Sequence, residues 1–97
     1  MGFGGILQHL SAIKSLRELN LRGTQVTDAG MKQLASLDAL EQLILQETGV
    51  TDAGLQELAS CRVLRKLYLS RTKVTANGIA QLQKSLPECD ISQIYIE

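Results

Sequence analysis

Large apolar residues recur along this chain with a period of 24 residues. Leu16, Leu19 and Leu21 are followed by Leu40, Leu43 and Leu45, and then by Leu64, Leu67 and Leu69. The last two leucines of each triplet are two apart, which puts them on one side of an extended strand. A short strand of about five residues is therefore expected at the start of each copy. Three such strands in phase predict a parallel sheet, and the rest of each copy must supply the crossover that parallel strands need. The copies 16–39 and 40–63 are identical at half of their positions, and 64–87 is a looser third. A repeat of this length predicts a stacked solenoid.

Within each copy the polar positions are as regular as the apolar ones. Thr24 and Val26 follow the first strand, with Thr48 and Val50, then Thr72 and Val74, in the same places. The valines are expected to plug the turn from inside, and the threonine hydroxyls to bond turn backbone that lacks a ladder partner. Thr27-Asp28-Ala29-Gly30 and Thr51-Asp52-Ala53-Gly54 then read as helix starts, with threonine as cap and aspartate in the first turn. The third copy keeps Thr75 and Gly78 but has Ala76 in place of the acid. Glycine inside a helix costs about 1 kcal/mol against alanine. Gly30, Gly54 and Gly78 at one phase therefore predict a close backbone approach to the strand layer or to the adjacent repeat. Met31 and Leu34, Leu55 and Leu58, and Ile79 and Leu82 give each helix an apolar face, with Ala35 and Ala59 as close-packing positions and Leu37 and Cys61 closing the core.

The two ends depart from the period. Leu7, Leu10 and Ile13 match the helical half of a repeat, so a short helix is expected over roughly 5–13. At the other end a shift of 27 aligns Ile91, Ile94 and Ile96 with the leucine triplets. That predicts about three extra residues around Ser85–Asp90, a helix ended by Pro87, and a last strand near Gln93–Ile96.

The segment Leu16-x-x-Leu19-x-Leu21-x-x-Thr24-x-Val26, met twice more in phase and in part by Ile91–Ile96, resembles the leucine-rich repeat family. The resemblance spans Ile6 to Ile96. Threonine stands where that family most often has Asn or Cys. The Val-Thr-Asp-Ala-Gly continuation looks like the ribonuclease-inhibitor-like and cysteine-containing subclasses, although 24 residues is shorter than is usual for either. The resemblance implies an α/β solenoid with a parallel sheet on the concave face and short helices on the convex face. It also implies a non-enzymatic module that binds other proteins on the concave face. The chain is expected to be one domain over 1–97: a half-repeat at 6–15, repeats at 16–39, 40–63 and 64–90, and a terminal strand at 91–97.

Composition narrows this picture. The chain has 97 residues, with ten Lys and Arg against ten Asp and Glu. That balance leaves no basic footprint for nucleic acid. Apolar residues make up 44 % but aromatics only 3 %, so the core must be aliphatic. No run approaches a membrane span, and the start carries no signal-peptide pattern. Gly2 lacks the Ser or Thr at position 6 that myristoylation asks for, since Ile6 stands there. A cytoplasmic, reducing setting is expected.

Candidate chemistry is sparse. His9 is the only histidine, and nothing pairs with it as a catalytic set. No phosphate-cradling glycine loop is present, and two cysteines with one histidine make no metal set. No cofactor and no enzymatic activity are expected. Cys61 and Cys89 fall at similar places in successive repeats, so a disulfide and a pair of buried thiols both remain open; the missing secretory signal favours thiols.

Candidate contact residues are those that lie between the inward leucines and face outward. They form three columns: Glu18, Gln42, Lys66 and Gln93; Asn20, Ile44, Tyr68 and Tyr95; Arg22, Gln46, Ser70 and Glu97. The partner-binding set drawn from them is Asn20, Arg22, Gln42, Ile44, Gln46, Lys66, Tyr68, Ser70 and Tyr95. The middle column carries both tyrosines, and amphipathic aromatics on a rigid sheet make good contacts. Strand propensity and cross-strand stacking account for the same residues without a partner. A last strand with an open edge also predicts pairing with another chain, as a homo-oligomer or within a larger assembly. A fragment or engineered piece of a longer array would show the same edge.

Overall fold

The computed structural model describes residues 14–92. Four strands, β1 (Glu18–Asn20), β2 (Gln42–Ile44), β3 (Lys66–Tyr68) and β4 (Asp90–Ser92), form one sheet in the order β1-β2-β3-β4. All three pairings are parallel. Between the strands lie α1 (Asp28–Leu34), α2 (Asp52–Leu55) continued by a 3-10 segment at Gln56–Ser60, and α3 (Ala76–Ser85). Strand follows helix in regular alternation, and each helical stretch packs on the next. This is an α/β solenoid. β1, β2 and β3 have three residues each rather than the five expected, and the chain turns three positions on at a left-handed residue.

The leucine pattern builds the core as read. Leu40, Leu43, Leu45, Leu64 and Leu67 are completely buried, with Met31, Leu34, Leu37, Leu55, Leu58 and Leu82 packed among them from the helical side. Leu16 and Leu19 are only partly buried and pack against this cluster from its edge. Val26 and Val50 are buried plugs, while Val74 is half-buried. The turn threonines each donate a hydroxyl hydrogen bond to the carbonyl three residues back: Thr24 to Leu21, Thr48 to Leu45 and Thr72 to Leu69, all at 2.7 Å. Each bond closes its own repeat and does not reach the next.

The junctions between repeats are held by a carboxylate clasp, which corrects the expected role of the Thr-Asp pair. Thr27 and Thr51 make no capping bond with their own helices. Instead Thr51 donates its N–H to Asp28 at 2.8 Å and its hydroxyl to the other oxygen of the same carboxylate. One repeat on, Thr75 does the same to Asp52, at 2.7 Å from its N–H and 2.5 Å from its hydroxyl. Only Thr75 also caps its helix, accepting from the Gly78 N–H at 3.2 Å. Charge-assisted bonds of this kind are about twice as strong as neutral ones.

The clasp explains two of the helix glycines, Gly54 and Gly78. A Cβ on Gly54 would lie 2.2 Å from Asp28 Oδ1 and 2.9 Å from the Asp28 Cα. On Gly78 it would lie 2.1 Å from Asp52 Oδ1. The close approach expected from the repeating glycine is therefore to the adjacent repeat, at its aspartate.

The register of the last strand differs from the expectation. Asp90, Ile91 and Ser92 pair with Lys66, Leu67 and Tyr68, a shift of 24 rather than 27. Leu86 donates its N–H to Leu82, four residues back, where Cys61 in the previous repeat donates to Leu58, three back. One extra residue thus enters at the end of α3. It is recovered before the strand, because Cys89 bonds to Leu86 as Leu64 bonds to Cys61 and β4 starts at the next residue. Cys89 consequently occupies the place of Leu64, and Leu86 that of Cys61, so the two cysteines are not equivalent. Gln83 braces this irregular loop, donating to the carbonyls of Leu86 and Cys89 at 2.8 Å each. The opening helix expected over 5–13 and the residues Gln93 to Glu97 lie outside the described region.

Candidate functional site

Parallel pairing without register slip lines up the outward residues of the sheet. Glu18, Gln42, Lys66 and Asp90 stand side by side, as do Asn20, Ile44, Tyr68 and Ser92. Neighbouring strands are about 4.8 Å apart, so Ile44 and Tyr68 are direct cross-strand neighbours. Both are half-buried. Gln42, Ile44, Gln46 and Tyr68 line an open depression of about 260 Å³. Glu18, Leu19, Asn20, Gln42 and Ile44 line an adjoining one of about 360 Å³. The two share Gln42 and Ile44, and Tyr68 closes the first beside Ile44.

The predicted contact residues separate into two groups. Lys66, Asn20 and Arg22 are exposed, and Gln42 is intermediate. Gln46 and Ser70, expected to face outward to a partner, are buried, with only 7 % and 4 % of their surface exposed. They sit in the turns that follow β2 and β3, where the chain leaves the sheet. Asn20 has a local task as well, accepting the Arg22 N–H at 3.0 Å across the end of β1. With β4 in its observed register, Ser92 takes the position next to Tyr68 that was expected for Tyr95, and Asp90 takes that of Gln93. Tyr95 itself lies outside the described residues.

One feature of this rim is absent from the leucine pattern. Gly23, Glu47 and Arg71, at the same repeat position, all adopt the left-handed backbone, with φ of 71°, 59° and 61°. Glu47 also faces Arg22 at 3.4 Å and Arg71 at 3.8 Å. A charged chain from Arg22 through Glu47 to Arg71 thus borders the sheet face on the side of the turns. The one sequence signal was Gly23, whose single occurrence hides the position in the other repeats.

The thiols offer little reactivity. Cys61 and Cys89 are both free and buried. Burial, reinforced by Asp38, pushes the Cys61 thiol up to about 11. Burial, reinforced by Asp90, does the same to Cys89, again to about 11. The nucleophile in thiol chemistry is the thiolate, so both groups act here as small apolar plugs. A smaller depression of about 170 Å³ near the β4 loop touches Cys89 and is bordered by Arg65, whose guanidinium is already engaged with Glu88 at 3.4 Å. Among the described residues no three His, Cys, Asp or Glu side chains group as a metal set. No described helix is long and apolar enough to cross a membrane. His9 lies outside the described region.

Sheet, helices and 24-residue junctions together make up a leucine-rich repeat fold. Residues 12–35 match a family model described as leucine-rich repeat. Among solved structures, a leucine-rich repeat protein of Leptospira interrogans shares the fold with a TM-score of 0.58 at 20 % sequence identity. The alignment covers 79 % of this chain and 25 % of that protein, so the chain spans about a quarter of its length. No curated protein matches the sequence.

Proposed function

We propose that this chain is a non-enzymatic protein-binding module whose partner seats on the concave sheet face over Ile44 and Tyr68. The observation that carries the reading is the pairing of these two side chains in register, half-exposed, on strands whose inward leucines are fully committed to the core. The sheet beneath them needs no rearrangement to bind, so little ordering cost opposes a contact. Asn20, Arg22, Gln42 and Lys66 supply a polar border. The equal numbers of acidic and basic residues speak for a protein rather than a nucleic acid or an anionic membrane. Two unpaired buried thiols agree with a reducing, cytoplasmic setting.

The test is a pull-down from the native cell extract with the wild-type chain and with Ile44→Asp, circular dichroism confirming that both are folded. A protein held by the wild type and released by Ile44→Asp supports the reading. Equal retention by both contradicts it.

A second reading is an assembly element that docks end to end, and the outer edges of β1 and β4 favour it. Neither edge has a strand neighbour among the described residues, and such edges pair readily with other chains. Light scattering over a concentration series separates the readings: growth in mass with concentration supports assembly, and a constant monomer mass removes it.

A further inference from the structure

We draw no further inference here: the strongest candidate, the Thr27 face beside the outer edge of β1, presents the N–H and hydroxyl that Thr51 and Thr75 close on a carboxylate, but nothing in the structure shows what covers it.

Discussion

At the scale of single residues, the junction between repeats is a three-part device. An aspartate reaches out of one repeat, a threonine of the next closes on it from two atoms, and a glycine leaves it room. Gly54→Ala tests the last part. The added methyl would press on the Asp28 backbone as well as its side chain, and overpacking of this kind costs about 1–3 kcal/mol. That outweighs the helix-propensity gain of about 1 kcal/mol. A net loss of up to about 2 kcal/mol is expected in urea unfolding. At Gly78 the conflict is with the end of the Asp52 side chain alone, so Gly78→Ala should lose less. An equal or reversed order would contradict the close-approach account. The clasp also predicts a pH dependence. The two bonds from Thr75, side chain first and backbone second, hold the Asp52 carboxyl below its usual range. A lowered folded-state pKa means that the unfolded chain binds more protons in that window. The stabilisation is therefore complete above the ordinary carboxyl pKa of about 3.9 and is lost as pH falls through the lower folded value. In melting curves from pH 6 down to pH 2, Thr75→Val should lose less stability with acid than the wild type. Parallel curves would remove the Asp52 contribution.

At the scale of elements, the leucine triplets were legible because burial on one side of a strand leaves a period of two inside a period of 24. The glycines were legible as close approaches, although not as partners of aspartate. That partnership crosses 26 residues of sequence, from Asp28 to Gly54, and Thr-Asp written side by side reads as a local helix start. The last strand was misread for a physical reason too. Ile91, Ile94 and Ile96 imitate the leucine triplet, whereas the chain reaches register through Cys89, which is buried in the place of Leu64 without looking like it. The left-handed turn position was legible only at Gly23, because Glu47 and Arg71 adopt the same backbone without the residue that prefers it. Left-handed backbone costs a non-glycine residue about 1–2 kcal/mol, while an exposed ion pair such as that of Arg71 is worth about 0–1. Arg71→Gly is therefore expected to stabilise the chain by about 0.5–1 kcal/mol, read as a higher urea midpoint at unchanged slope. A lower midpoint would show that the Arg22–Glu47–Arg71 chain outweighs the backbone strain.

At the scale of the whole molecule, each repeat contacts its neighbours and stability comes from the stack. The leucines, the clasps and the turn threonines all serve that stack. Among the residues they leave unassigned are those on the outward side of the sheet. Of the predicted contact set, the structure brings Ile44, Tyr68, Gln42 and Lys66 onto adjacent strands and withdraws Gln46 and Ser70 from the surface. This division was not legible in alternation alone, because whether an outward residue is covered depends on its neighbours in space. In the proposed function a protein partner seats over Ile44 and Tyr68. The most direct measurement is site-specific photocrosslinking in the native extract, with a photoreactive phenylalanine derivative placed at Tyr68 in one variant and at the exposed Lys84 on the helical side in another. A defined protein adduct is expected from position 68 and none from position 84. An adduct from position 84 with nothing captured at position 68 would contradict it.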